Sequence, residues 1–334
     1  MKPVVWGVLS TAKIGVQHVI PALLASPLVE LRAIASRSLS SAQDAARSLG
    51  IAKAYGSYEE LLADPAIEAI YNPLPNHLHV PLTLQAAAAG KHVLCEKPVA
   101  LSAGEAEQLR PAASRVHIEE AFMVRHHPQW QRARELVRAG RIGTPRAVQV
   151  FFSYFNDDEG NIRNQPAIGG GALFDIGCYA VLAGRYLFDS EPLRAVSLVD
   201  RDPQLGTDRL TSAMLDFGAG RQATFTVSTQ SVRFQRVQVV GTRGRIELFI
   251  PFNAARGGEM RVAVDEGGLA DGSGITVETM PACDQYQLEV EAFSRQVRDD
   301  RGPQPDAIND AVAQARVIDA LWLSERTGRW EPVA

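Results

Sequence analysis

The chain has 334 residues, 46% of them apolar and 22% charged, with a net charge of −4. This length favours two domains, and the charge balance excludes a basic nucleic-acid surface and an acidic tail. The three cysteines, Cys95, Cys178 and Cys283, are scattered and odd in number, which excludes a disulfide framework and points to a reducing compartment. The opening "MKPVVWGVLS" has too short an apolar run, broken by Gly7, for a secretory signal. No stretch reads as the roughly 20 apolar residues of a membrane span. A cytoplasmic protein with no membrane and no nucleic-acid partner is expected.

Two hydrophobic periods alternate through the first 120 residues. "VVWGVL" (4–9) reads as a buried strand and "AKIGVQHVIPALLAS" as a helix. "VELRAIAS" (29–36) is the next strand, and "SLSSAQDAARSLG", ended by Gly50, the next helix. After "KAYG" come the helix "SYEELLAD", the strand "AIEAIYN" (66–72) and the helix "HLHVPLTLQAAAAG", stopped by Gly90. "KHVLCE", "SAGEAEQLRPAAS" and "VHIEEAFMV" (116–124) read as strand, helix and strand. Near-continuous apolar strands alternating with amphipathic helices predict an α/β domain over residues 1–124, a doubly wound parallel sheet. Such sheets bind ligands at the carboxyl ends of their strands.

After a helix at about 128–139 the pattern changes. "TPRAVQVFFSYF", "RAVSLVDRD", "RLTSAMLDFGAGRQATFTVSTQ", "RVQVVGTRGRIELFI" and "MRVAVDE" read as successive strands, separated by turns at 218–220 and 241–244. Two helices, about 285–299 and 307–327, close the chain. Residues 125–334 are therefore expected to form an α+β domain with a large open, mostly antiparallel sheet.

The first strand–turn–helix reads Ser10-Thr11-Ala12-Lys13-Ile14-Gly15. A G-x-G-x-x-G fingerprint would occupy these positions; Ser10 and Ala12 replace its first two glycines and Gly15 matches the third. Small residues still let a pyrophosphate approach the positive end of a helix, although a plain tight turn explains this segment alone equally well. The second strand ends at Ser36 and Arg37, where a dinucleotide site holds the ribose. An acid there suits NAD, whereas an arginine fork suits a 2′-phosphate. This ranks NADP above NAD. "YNPLPNHLH" ends the fourth strand in an extended turn, and Asn76 is expected to cap the following helix.

"HVLCEKPVAL" (92–101) ends a strand on Lys97, between Glu96 and Pro98. "AIGGGALFDIGCYAVLAGRYLF" (167–188) sets three glycines before a helix, with Asp175 and Tyr179 four apart on one face. A glycine-rich entry there lets backbone approach a substrate. Neither His77 with His79 nor His126 with His127 has a third ligand at metal spacing, so no metal is expected. Cys178 reads as packing, and there is no G-x-S-x-G elbow for a serine nucleophile.

"WGVLSTAKIG", "YNPLPNHLH", "CEKPVAL", "EAFMVRHHPQ" and "GGGALFDIGCYAV" together resemble the glucose–fructose oxidoreductase / inositol dehydrogenase / rhizopine-catabolism (Gfo/Idh/MocA) family over essentially the whole chain. "NIRNQPAIGGGALFDIGCY" is most similar to its NADP-dependent aldose dehydrogenases of the D-xylose type and to dimeric dihydrodiol dehydrogenase. The resemblance implies that Lys97 meets the substrate oxygen and the nicotinamide, that Tyr179 is the acid/base, and that Asp175 orients substrate. It implies that Ser10, Thr11, Ala12, Lys13 and Ile14 line the pyrophosphate and that Ser36 and Arg37 hold the adenosine phosphate. Pro73, Asn76, His79, Glu96, Lys97 and Arg125 would line the nicotinamide half, with Arg163 and Asn164 as substrate contacts beside Asp175 and Tyr179. Many members carry histidine where this chain has Tyr179, which disfavours an inositol-type site. A homodimer or homotetramer through the C-terminal sheet is also implied, with "ATFTVSTQ" and "RVQVVG" as contributors.

The chemistry is consistent with those roles. Tyrosine's ordinary pKa of about 10 is too high for a base at neutral pH. A nearby lysine ammonium favours the phenolate and also stabilises a developing alkoxide. The expected activity is an NADP-dependent aldose 1-dehydrogenase acting on a small-molecule carbohydrate. The alternatives are an NADPH-dependent reductase of keto-sugars or dicarbonyls, a dihydrodiol dehydrogenase, and a non-catalytic NADP-binding regulator.

Overall fold

The structure is a computed structural model that describes residues 2–268, 271–299, 302–303 and 306–334. The chain forms two compact units, Met1–Met123 with Gln285–Val312, and Val124–Asp284 with Ala313–Ala334.

In the first unit, β1 (Val4–Leu9), β2 (Val29–Ala35), β3 (Lys53–Tyr55), β4 (Ala69–Asn72), β5 (His92–Glu96) and β6 (Ile118–Ala121) form one sheet in the order β3-β2-β1-β4-β5-β6. Every pair is parallel. The order reverses beside β1, which opens the crevice where such sheets take a dinucleotide. β1 and β4 are apolar because both of their faces are buried. Gly7 lies mid-β1 because a Cβ there would come within 2.8 Å of Leu61.

The sequence expectation assigned everything after residue 124 to a second domain. The structure corrects this for 285–312. The helix Gln285–Val297 buries Val290 and Phe293 in the core around β1. Trp6 donates its indole N–H to Ser294 (3.2 Å), and its ring lies 5.3 Å from that of Phe293.

In the second unit, β7 (Pro145–Phe155), β8 (Arg194–Arg201), β9 (Asp208–Asp216), β10 (Gln222–Ser228), β11 (Gln230–Gly241), β12 (Arg245–Leu248), β13 (Gly258–Asp265), β14 (Ile275–Cys283) and β15 (Glu331–Pro332) make a nine-stranded sheet. Its order is β14-β13-β12-β11-β7-β10-β9-β8-β15, with β7 and β10 parallel and the other pairs antiparallel. The sequence reading missed β14 and β15. It also excluded any stretch long and apolar enough to span a membrane, whereas Pro166–Phe188 is one by length and composition. Its most apolar window is 72% buried inside the fold, as in a core helix.

Candidate active site

The turn after β1 keeps the backbone shape of a dinucleotide loop without its glycines. Ser10 adopts φ 71, a left-handed conformation that normally selects glycine. Its N–H donates to the Ala35 carbonyl (2.8 Å) and its hydroxyl accepts from the Ala12 N–H (3.2 Å), which hold it there. The helix that follows opens with a π turn, Gly15–Val19, a feature found often at functional sites. Thr11, Ala12 and Ile14 are half-buried and Lys13 is exposed along this turn. At the end of β2, Ser36 is half-buried and Arg37 exposed. A tight turn of small side chains at a helix start, with a cation at the end of the next strand, fits a phosphorylated dinucleotide.

The Glu96-Lys97-Pro98 turn is fastened from several directions. Glu96 accepts the Tyr71 hydroxyl (2.6 Å) and the Lys97 N–H (3.3 Å). The cis Lys97–Pro98 peptide leaves the Pro98 carbonyl 2.7 Å from His79 Nδ1. The Val99 N–H donates to Glu120 (2.8 Å) and the Leu101 N–H to Glu105 (3.0 Å). Burial beside Glu96 pushes the Tyr71 phenol well up, so it stays a donor. Lys97 thus projects from a turn whose backbone is fixed on both sides.

His79 and Glu96, both expected beside the nicotinamide, also brace that turn. His79 is 1% exposed, with its ring nitrogens 2.7 and 2.6 Å from the carbonyls of Pro98 and Leu74. Burial holds the imidazole down to about 4 although both carbonyls favour protonation. His79 therefore links the loops after β4 and β5 and presents no ring nitrogen to a ligand. The Glu96 carboxylate is likewise engaged with Tyr71 and Lys97. Asn76 does not cap the helix as expected: a 3-10 turn, Asn76–Leu78, leads into His79–Ala88, and neither start has a side-chain cap. Asn72, which the sequence reading passed over, holds this loop instead. Its side chain is buried and bonds the His79 carbonyl, Thr83 and the Leu74 N–H. Pro73 is buried beside it.

In the second unit, Asp175 lies in a π turn, Leu173–Gly177, that runs into the helix Cys178–Phe188 bearing Tyr179. The structure brings Asp175 together with Arg163 and with Tyr154, which was not foreseen. Tyr154 donates its hydroxyl to one carboxylate oxygen (2.5 Å) and Arg163 Nε donates to the other (3.1 Å). Burial and the neighbouring carboxylate push the Tyr154 phenol well up, so it remains a donor. Tyr179 is 6% exposed, its ring set against Phe152 (6.1 Å) and Phe252 (5.4 Å), which stack on each other at 4.5 Å. Trp130 fixes the Pro251 carbonyl next to that cluster (2.7 Å).

Two of the three glycines are required by the protein's own packing. A Cβ on Gly170 would meet the Arg163 carbonyl at 2.6 Å, and one on Gly171 would fall on the Asp208 carboxylate. The N–H of Gly171 donates to the Arg163 carbonyl (2.8 Å), which anchors the loop that carries Arg163. Asn164 is 3% exposed and bonds the Asp158 carbonyl (2.9 Å), so it braces this loop. Arg125 belongs to the second unit rather than the dinucleotide domain. His127, weighed as a metal ligand, caps the helix Pro128–Arg138 through Nδ1. Among the described residues, no three His, Cys, Asp or Glu side chains are grouped to hold a metal.

Both halves match known sequence families. Residues 4–126 match an oxidoreductase family with an NAD-binding Rossmann fold, and residues 130–247 match the GFO/IDH/MocA C-terminal domain. The chain belongs to the GFO/IDH/MocA oxidoreductases. An uncharacterised oxidoreductase of Rhizobium meliloti is 45% identical over 98% of each chain. A D-xylose 1-dehydrogenase (NADP+) of Haloferax volcanii is 40% identical over 97% of this chain and 98% of its own. Among solved structures, a 3-ketoreductase from Actinomadura kijaniata with NADP and TDP-benzene superposes with a TM-score of 0.90 at 28% identity, over 97% of this chain and 98% of that one. The GFO/IDH/MocA assignment agrees with the resemblance drawn from the motifs.

Proposed function

We propose that this oxidoreductase uses NADP to move a hydride between the nicotinamide and a sugar carbon, and that it oxidises an aldose at the anomeric carbon to a lactone. The observation that carries the reading is the turn at Lys97, whose backbone is bonded by Glu96, His79, Glu120 and Glu105. A surface lysine needs no such support, whereas a group that must meet a reacting oxygen does. The likeness to the D-xylose 1-dehydrogenase of Haloferax volcanii supports the aldose and the oxidative direction.

Ser10 to Ile14 would hold the pyrophosphate, and Ser36 with Arg37 the 2′-phosphate. Bound NADP supplies the hydride acceptor. In this reading the substrate hydroxyl would give its proton to Tyr179 while the same carbon gives up a hydride, so two electrons and two protons leave the substrate. Lys97, in this reading, would supply the ammonium that stabilises the developing alkoxide. Asp175, oriented by Tyr154 and Arg163, accepts a hydroxyl of the sugar. Reduction of a keto-sugar runs the same steps backwards, and the likeness to the 3-ketoreductase of Actinomadura kijaniata favours it as the second reading. The outer face of the second unit's sheet joins copies of the chain as a homodimer or homotetramer.

The test is NADPH absorbance with NADP and separate pentoses and hexoses, with Tyr179→Phe and Lys97→Ala alongside. We expect turnover of an aldose and a loss of about 10²–10⁴-fold in kcat for Tyr179→Phe. Silence with every aldose, together with NADPH consumption on a keto-sugar or dicarbonyl, selects the reductase. Tight NADP binding without turnover in either direction selects the regulator.

A further inference from the structure

The helical segment carrying Asp175 and Tyr179 begins without a side-chain cap of its own. Ala172 precedes the π turn Leu173–Gly177 and supplies none. The first N–H groups of a helix need acceptors, above all where they are buried. Here the acceptor comes from 35 residues on: the Leu173 N–H donates to Asp208 Oδ2 at 2.7 Å. Asp208, at the start of β9, is 1% exposed, and the same oxygen accepts the Thr211 hydroxyl at 3.0 Å. Its other oxygen occupies the space that a side chain at Gly171 would fill, and Gly171 itself has φ +118. The Asp175 N–H donates to the Gly171 carbonyl (3.0 Å), so the glycine that makes room for Asp208 also starts the turn bearing Asp175.

We propose that Asp208 is the positioning residue of the active-site helix, a carboxylate delivered from β9 that caps the turn carrying Asp175 and, through it, Tyr179. The inference rests on the proposed roles of Asp175 and Tyr179, whereas the cap itself does not depend on them. The charged and titratable groups that act on Asp208 are Arg201 of β8, whose positive charge lowers its pKa, and Tyr154 of β7, which its negative charge affects. Arg201 is also paired with Glu325 (2.8 Å). Burial outweighs Arg201 and the hydrogen bonds and pushes the carboxyl up to about 7.

With the helix entry closed the carboxyl titrates near 7, and when opening wets it the carboxyl returns toward the ordinary 3.8. The closed form therefore binds more protons between those values, and closure weakens as pH rises from about 4 through 7. Asp208→Asn keeps an acceptor for the Leu173 N–H and removes the titration. Asp208→Ala removes the cap.

The experiment measures amide hydrogen exchange of the peptide spanning 172–179 in the full chain from pH 5 to 8.5, corrected for intrinsic exchange, and kcat and KM over the same range. In the parent, protection falls as pH rises through 7. Asp208→Asn removes that dependence and stays protected at pH 8, and Asp208→Ala exchanges roughly tenfold faster or more at every pH. In turnover, Asp208→Asn loses the limb near pH 7 while its affinity for NADP is unchanged. Equal protection in all three proteins, or a parent profile kept by Asp208→Asn, overturns the proposal. If no sugar is turned over, the proposed function fails and the exchange data still decide whether Asp208 caps the helix.

Discussion

Tyr154 is the residue that most changes the picture of the site. Asp175 alone is a carboxylate near a helix start, which any surface helix favours. With Tyr154 on one oxygen and Arg163 on the other, its orientation is fixed and its remaining acceptor positions are defined. A hydrogen bond to a charged group contributes about 1.5–3 kcal/mol. Tyr154→Phe keeps the ring and frees Asp175 to turn, so we expect kcat/KM for the sugar to fall about tenfold, mainly through KM. Affinity for NADP, followed by NADPH fluorescence, should stay at the parent value, since Tyr154 and the dinucleotide turn belong to different units. Unchanged KM for every hydroxylated substrate would remove Asp175 from sugar recognition.

At the scale of elements, two helix entries stand out, Gly15–Val19 and Leu173–Gly177, both π turns with a glycine at or just before their start. Their glycines differ in necessity. A Cβ on Gly15 would lie 3.6 Å from Tyr71 and Pro73, ordinary contact, whereas one on Gly171 would collide with Asp208. Gly15→Ala should leave the unfolding temperature within a degree or two or raise it slightly, because alanine suits a helix better. Gly171→Ala should destabilise by roughly 2–4 kcal/mol through overpacking and a strained φ, which thermal unfolding of the two variants reads directly. That contrast also marks what the sequence could convey. Periodicity revealed the strands of the parallel sheet and the helices Pro128–Arg138 and Gln285–Val297, and the small residues after β1 indicated a tight strand-to-helix turn. Tyr154 to Asp175 spans 21 residues and Leu173 to Asp208 spans 35; such pairings follow from sheet register, which no local pattern encodes. The same limit hid the attachment of 285–312 to the first unit, because an amphipathic helix does not state which core its apolar stripe covers.

For the whole molecule, the alternation of β7 links the proposed site to the proposed interface. Its inward residues Val148, Val150, Phe152 and Tyr154 face the helix of Tyr179 or its neighbours, and its outward residues Gln149 and Phe151 face away. Register aligns one outward row across five strands: Leu198, Ser212, Thr226, Phe151 and Arg236. Phe151 meets Phe234 edge-on at 5.5 Å, and Leu198 is 77% exposed. Apolar side chains regularly spaced among Ser, Thr and Gln on one open sheet face suit a second copy of the same face, and stable association needs roughly 800 Å² buried per partner. Phe151→Glu with Leu198→Lys should therefore convert a homodimer or homotetramer to monomer in sedimentation velocity at micromolar concentration. Because β7 keeps its inward residues, turnover per chain should persist in the monomer with a lowered unfolding temperature. A parent that sediments as a monomer, or a double variant that sediments as the parent does, would move the interface off this face.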